Sequence, residues 1–306
     1  RGISHLGGTI IGSTNKGNPT AFPTQQEDGT WVEVDRTHEL LERFKEAGID
    51  ALVTVGGDGS LSIGNHLFQH GLRVVGVPKT IDNDLDKTHV TFGFDTAVDF
   101  ATECIDRLFV TATSHGRIIV VEVMGRYAGW IALHSGMAAG AHAVLIPEIP
   151  FDLGPVAATI QQREERGAKF SIVVVAEGAT PLDGEVSTVG KAVGQAEQLG
   201  GIGAKVAAGL HELTGKETRT VVLGHLLRGG TPTSIDRILG LRFGAAAIRA
   251  LETGHNGVMV SLDPPHVTYV PLVGATHRMK SVPLDGDTVV TARDLGINFG
   301  DRMPLP

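Results

Sequence analysis

Near-continuous runs of apolar residues rich in valine and isoleucine restrict the fold most, at Ala51 to Val55, Arg73 to Val77, Arg117 to Val123, His142 to Ile146 and Phe170 to Ala176. A strand with one face in water alternates apolar and polar residues. Several of these runs do not alternate, so strands covered on both faces are expected. Helical patterns lie between them, notably Thr37 to Ala47, Thr96 to Phe109 and Gly129 to Ala139. Alternating β and α elements of this kind imply an α/β fold with mostly parallel sheets. Gly48 stops the first of these helices, and Ile49-Asp50 leads into the next strand. Thr180 to Gly203 is glycine-rich and poorly periodic and reads as a surface loop or frayed helix.

A chain of 306 residues is large for one core, so two lobes with a cleft between them are expected. Asp95 to Ile105 is a candidate for the helix that joins them. No stretch approaches the roughly 18 apolar residues of a membrane span. With 26 basic against 34 acidic residues, the net charge of -8 opposes general attraction to nucleic acid or anionic lipid. An anionic ligand must then be held by locally placed Arg or Lys. Cys104 is the single cysteine, so no internal disulfide can form. It reads as a small core residue, and a reducing cytoplasm is the expected compartment.

Three strand ends carry chemistry. The run Ala51 to Val55 enters Gly56-Gly57-Asp58-Gly59-Ser60 and then an apolar helix. Such a turn lets bare backbone approach a phosphate at a helix N-terminus, with Asp58 placed for Mg²⁺; a structural tight turn is the alternative. The next strand ends in Pro78-Lys79-Thr80-Ile81-Asp82-Asn83-Asp84. There Asp82 can accept the proton of an attacking hydroxyl while Asp84 holds it or reaches the metal; a capped, solvated Asp-rich turn is the alternative. Met124-Gly125-Arg126-Tyr127-Ala128-Gly129 follows the third. Arg126 can clamp a transferring phosphoryl group there, or serve as an ordinary ion-pair partner. Glu177 can accept hydrogen bonds from sugar hydroxyls. Arg219, His225 and Arg228 read as a basic constellation for a phosphate monoester. No G-x-G-x-x-G with a downstream acidic partner occurs in a strand-turn-helix context, which disfavours NAD-type binding.

In order and spacing, Gly56 to Ser60, Pro78 to Asp84, Met124 to Gly129 and Gly224 to Gly230 resemble the 6-phosphofructokinase family. Gly129-Trp130-Ile131-Ala132-Leu133-His134-Ser135-Gly136-Met137-Ala138-Ala139-Gly140 is similar to the bacterial branch that divides between ATP and pyrophosphate as donor. The resemblance implies two Rossmann-like three-layer αβα lobes with the active site between them. The donor lobe would take 1–94 and about 227–276, and the fructose 6-phosphate lobe 95–226 and about 277–306. It implies Asp82 as catalytic base with Thr80 and Asp84 beside it, Arg126 as transition-state clamp, Asp58 at the magnesium site, and Gly57, Asp58, Gly59 and Ser60 around ATP. Thr80, Asp82, Arg117, Met124, Gly125, Arg126, Glu177, Arg219, His225 and Arg228 match the sugar contacts. In that family Arg117 and Arg219 serve a neighbouring subunit, so a homo-oligomer, a dimer or tetramer, is expected.

Gly59 and Lys79 bear on the donor in opposite directions. An acidic side chain at Gly59, as pyrophosphate users carry, would intrude on the α-phosphate, whereas glycine leaves room for a nucleotide. Lys79 is the residue typical of pyrophosphate users. Gly59 acts by both sterics and charge, so Mg-ATP is the expected donor and a pyrophosphate-dependent phosphotransferase the alternative. A catalytically silent nucleotide or sugar-phosphate sensor is a third reading, opposed by Asp82, Asp84 and Arg126 occurring together. The family begins with a strand and Gly-rich loop before Gly7-Gly8-Thr9, so an N-terminally truncated piece is expected. Asn15-Lys16 stands where many relatives have an arginine near the nucleotide phosphates, and Lys16 can supply that charge. Phe109 replaces an effector-site arginine, so regulation by ADP or phosphoenolpyruvate is not expected to carry over.

Overall fold

Ile118–Val123 and Ser171–Ala176 are buried at every position, as apolar runs without alternation require. They belong to a computed structural model that describes residues 2–14, 17–184, 187–190 and 198–303. Along the chain, β1 (Phe22–Gln25) and β2 (Trp31–Val34) form a hairpin, followed by α1 (Thr37–Glu46), β3 (Ala51–Gly56), α2 (Asp58–Gln69), β4 (Arg73–Thr80) and β5 (Phe92–Gly93). Next come α3 (Phe94–His115), β6 (Ile118–Val123), α4 (Trp130–Ala138), β7 (Ala143–Leu145), α5 (Leu153–Glu165) and β8 (Ser171–Ala176). Then follow β9 (Thr188–Gly190), β10 (Gln198–Leu199), α6 (Ile202–Thr214), β11 (Thr218–Val222) and a 3-10 turn, Gly224–Arg228. The last elements are α7 (Ser234–Glu252), β12 (Val258–Asp263), β13 (His266–Pro271), α8 (Leu272–Thr276) and α9 (Asp287–Asp294).

Two main sheets result. One has the order β13-β12-β4-β3, with β5 on the end of β4, and all its pairs are parallel except β12 with β13. The other, β11-β6-β8-β7, is wholly parallel. Each is the middle of three layers. Leu61 and Leu67 of α2 with Leu272 of α8 cover one face of the first sheet, and Leu239 and Phe243 of α7 cover the other. On the second, Ile105, Ile131 and Val289 pack from α3, α4 and α9, opposite Val156 and Ile160 of α5 and Val206 and Leu210 of α6. Burying each such Val, Leu, Ile or Phe stabilises the fold by roughly 1.5–3 kcal/mol.

Helix α3 carries the chain from the first sheet to the second, and it is longer than its periodicity suggested. Gly93 at φ 102° starts it and Gly116 at φ 62° ends it. The polar stretch that hid its last turn stays helical, with the hydroxyls of Thr113 and Ser114 satisfied on the carbonyls of Phe109 and Val110, at 2.7 and 2.8 Å. Its first turn is clasped to that of α7. Thr233 Oγ1 donates to Asp95 Oδ2 at 2.6 Å, and Thr96 N–H donates to Asp236 Oδ2 at 2.8 Å. Asp236 thus takes an N–H of α3, and Asp95 holds Thr233, the cap of α7, so the two N-termini lie side by side where the chain passes between the sheets.

The stretch 180–203 differs from the loop or frayed helix expected. Its described residues include the antiparallel pair of β9 and β10 and the start of α6. Glu122, buried in β6, accepts N–H from Gly201 at 3.3 Å and Gly203 at 2.8 Å. A carboxylate about 80 residues away therefore caps α6, which no local pattern could reveal. Asn15 and Lys16 lie outside the described residues.

Candidate active site

Gly56 pairs with Pro78 in the β3–β4 register, so the two turns that follow these strands are neighbours. They touch closely. A Cβ on Gly57 would lie 3.3 Å from Thr80 Cβ, and one on Gly56 would lie 2.5 Å from Ser60 Cβ. A Cβ on Gly59 would meet nothing within 4 Å. Asp58 opens α2, and burial raises its carboxyl above the ordinary range.

Beyond β4, Thr80 Oγ1 donates to Asp82 Oδ2 at 3.3 Å and accepts the Asp82 N–H at 3.1 Å. Asn83 stands between the two aspartates at φ 52°, a left-handed conformation that asparagine tolerates better than most residues. Its Oδ1 accepts Thr91 N–H at 3.2 Å, and Thr91 Oγ1 donates to Thr80 O at 2.8 Å. Burial, then the charge of Asp82 and that of Asp58, push the Asp84 carboxyl up to about 6, against the pull of Lys280. Asp84 Oδ1 is buried with no protein partner. A buried carboxylate oxygen beside two further carboxylates suits a cation or a proton.

The second sheet contributes the facing wall. Met124, Gly125 and Arg126 follow β6, with Gly125 at φ 147° where a Cβ would lie 2.8 Å from Ala128 O. Gly178 N–H donates to Gly125 O at 3.1 Å, which fastens the end of β8 to this turn. Arg126 lies over the Tyr127 ring, 5.6 Å from its centre. Burial raises the Glu177 carboxyl; a backbone bond with Gly125 opposes it, the Asp82 charge adds to it and Arg126 lowers it. Glu177 and Arg126 from one sheet thus share a local field with Asp82 from the other.

His225 and Arg228 are exposed on the 3-10 turn after β11. Arg228 and Lys79 line one cavity of about 740 Å³, together with Ile81, Thr96 and Asp236. Arg117 and Arg219 are elsewhere. Arg219 pairs with Ile119 at the amino end of the sheet, whereas Arg126 follows its carboxyl end, beyond roughly 13 Å of strand. Arg117 Nε bonds Glu217 at 2.7 Å, and Arg219 reaches the same carboxylate. Arg219 stands near the start of β11 and His225 and Arg228 on the turn after its end, so the rest of the strand separates them within one chain.

Two residues at the site carried no signal in the sequence. Lys280 Nζ donates to Asn83 Oδ1 at 2.9 Å across 197 positions. Glu148, its carboxyl raised by burial, accepts Gly129 N–H at 3.1 Å just after the Arg126 turn. Among the described residues no group of three or more His, Cys, Asp or Glu is arranged to hold a metal ion. The paired carboxylates match instead the Mg²⁺ pattern of one or two protein oxygens completed by phosphate and water.

Comparison with known proteins places this geometry in a family. A family profile described as phosphofructokinase matches residues 1–251. The chain is 47% identical over 303 residues to an ATP-dependent 6-phosphofructokinase of Chloroflexus aurantiacus, covering 99% of this chain and 83% of that protein. It is 46% identical over 304 residues to ATP-dependent 6-phosphofructokinase 2 of Clostridium perfringens, covering 98% and 83%. Among solved structures, phosphofructokinase of Pichia pastoris in the T-state superposes with a TM-score of 0.74 at 28% identity, over 96% of this chain and 30% of that one.

Proposed function

The chain belongs to the phosphofructokinase family, and from that premise we propose that it transfers the γ-phosphoryl group of ATP to the 1-hydroxyl of D-fructose 6-phosphate, giving fructose 1,6-bisphosphate and ADP. The observation that carries the reading is the position of Asp82, bonded to Thr80 at the end of one sheet and sharing charge with Glu177 at the end of the other.

The division of labour follows from what each group can do. Asp82 takes the proton of the sugar hydroxyl as that oxygen attacks phosphorus, and Thr80 holds the carboxylate in one orientation. Arg126 meets the charge that develops on the transferring phosphoryl oxygens. Glu177 and the Met124-Gly125 backbone bind sugar hydroxyls, and His225 and Arg228 face the sugar phosphate. On the donor side Gly57, Asp58, Gly59 and Ser60 present backbone at the start of α2. Asp58 and Asp84 would hold Mg²⁺, which when bound with ATP neutralises phosphate charge. The first sheet with α7 serves as donor lobe, 1–94 with about 227–276, and the second as sugar lobe, 95–226 with about 277–306. Arg117, half-buried, and Arg219, exposed, lie at the far end of the sugar lobe and serve a second copy of the chain in a homo-oligomer.

Gly59 supports ATP over pyrophosphate, since the space beside it is open. Among the described residues no helix is long and apolar enough to cross a membrane. A cytoplasmic setting suits an enzyme with phosphorylated substrates and the single Cys104. The test is a coupled assay of fructose 6-phosphate with Mg-ATP and, separately, with pyrophosphate. Turnover with ATP is expected, and turnover with pyrophosphate alone would overturn the donor.

A further inference from the structure

Lys280 lies between α8 and α9, far along the chain from everything it touches. Its ammonium donates to Asn83 Oδ1 at 2.9 Å, Thr88 O at 3.0 Å and His89 O at 3.0 Å, which uses all three protons. It also sits over Trp130, 5.6 Å from the ring centre, and Trp130 Nε1 donates to Lys280 O at 2.9 Å. The Lys280 N–H donates to Asp84 O at 2.8 Å. Two residues on, Val282 N–H donates at 2.8 Å to Glu148, the carboxylate that also accepts Gly129 N–H. Residues 280–282 are therefore bonded on one side to the turn that carries Asp82 and Asp84, and on the other to the residues that directly follow Arg126.

Asn83 gives this arrangement its leverage. A left-handed residue between two carboxylates sets the direction of both, and its conformation stores strain of order 1 kcal/mol unless its surroundings hold it. Its Oδ1 is held from two sides, by Lys280 and by the Thr91 N–H, and Thr91 in turn holds Thr80. The line of contacts runs from Lys280 through Asn83, Thr91 and Thr80 to the Asp82 carboxylate.

We propose that Lys280 is a positioning residue for phosphoryl transfer: it locks Asn83 and so aims Asp82 and Asp84, while its own backbone keeps that turn in register with Arg126. The inference rests on the reading of Asp82 as base and Arg126 as clamp. A compact ammonium suits the place because three oxygens converge on one point. Arginine's planar fork cannot satisfy all three, and methionine keeps the stem but none of the donors. Burial lowers the Lys280 pKa to about 8, opposed by Asp84 and Asp86, so the group is still mostly charged at neutral pH.

The test compares the full chain with its Lys280→Met and Lys280→Arg variants in the ATP assay. Lys280→Met is expected to lower kcat about 30- to 100-fold, the loss typical of a displaced reacting group. KM for fructose 6-phosphate should stay within about threefold, because Lys280 acts on the turn and is not among the proposed sugar contacts. Lys280→Arg should recover part of kcat. If Lys280→Met does not fold, Asn83→Gly is the second variant: glycine accepts φ 52° freely but has no Oδ1 to anchor, so the same selective loss of kcat is expected. An active wild type whose Lys280→Met or Asn83→Gly variant keeps kcat, or loses kcat only together with a rise in that KM, overturns the role of Lys280 alone. A wild type without sugar kinase activity overturns the functional reading and this inference with it.

Discussion

Gly178 backs directly onto Arg126: a Cβ at position 178 would lie 2.0 Å from the Arg126 carbonyl oxygen and 2.9 Å from that of Gly125. Neither partner is the yielding end of a side chain, so any substitution at Gly178 must displace the backbone of the Arg126 turn. Gly178→Ala is expected to lower kcat by about 10- to 100-fold, as misplacement of a clamp by an ångström does. KM for ATP should change little, because the donor turn lies on the other sheet. A variant with wild-type kcat would show that the Arg126 turn tolerates displacement and is not the clamp.

Arg117 and Arg219 share Glu217 at the end of the sheet opposite Arg126. Solvent screens ion pairs to an exposed carboxylate such as Glu217, so they add little to stability. The proposed role, holding the sugar phosphate of a neighbouring copy, gives the cluster a different reason. Asp82→Asn should lower kcat by about 10²- to 10⁴-fold with little change in sugar affinity, and Arg219→Ala should raise KM for fructose 6-phosphate. If each site uses Asp82 from one copy and Arg219 from another, mixing the two impaired variants at low fructose 6-phosphate and allowing them to exchange subunits restores some sites with both residues intact. Recovered activity in the mixture is the expected result. No recovery, with mixed oligomers shown to form by native mass spectrometry, would place both residues in the same chain's site.

The parts of this site that sequence reveals are those adjacent to a strand end. Asp58, Thr80, Asp82 and Arg126 follow apolar runs directly, and parallel strands gather such ends on one side of each sheet. The position of Arg219 was less legible, because proximity to His225 along the chain conceals a strand that carries the two apart. Lys280 and Glu148 could not be found this way at all. Their contacts span 197 and 19 positions, and what selects them is the buried turn that each completes rather than any pattern around it. The reach of α3 was concealed for a related reason, since Thr113 and Ser114 satisfy their hydroxyls on the helix's own carbonyls.

His142 supplies a pH dependence far from the chemistry. It is packed between Phe109 and Phe170, its Nδ1 lies 2.9 Å from the Ile172 N–H, and burial together with the Arg163 charge lowers its pKa to about 4. Unfolded, it would titrate near 6.5. Between those values the unfolded chain binds a proton that the folded chain does not, so the contribution is complete above 6.5 and is lost as pH falls towards 4. Allowing for partial exposure of the ring, about 2 kcal/mol is at stake. His142→Gln, which keeps an acceptor but does not titrate, should be less stable than wild type at pH 7, and the gap in Tm should narrow by pH 5. A gap independent of pH would reject the assignment.

Gly59 is a glycine that the fold does not require. Its backbone is in an ordinary helical region at the second position of α2, and a Cβ there would meet nothing, whereas Gly56 and Gly57 are hemmed in by Ser60 and Thr80. A glycine inside a helix costs up to about 1 kcal/mol relative to alanine. On the proposed reading, the open space beside Gly59 leaves room for the nucleotide that approaches from outside. Gly59→Ala is expected to raise Tm slightly while raising KM for ATP. Gly59→Asp places a negative charge where the α-phosphate of ATP would lie but where pyrophosphate has no group, so kcat/KM for ATP should fall at least about tenfold, a loss of 1.4 kcal/mol or more. Activity with pyrophosphate should rise relative to ATP. An Asp variant that uses ATP as well as the wild type would mean that the donor lies elsewhere and that the open space beside Gly59 has no part in choosing it.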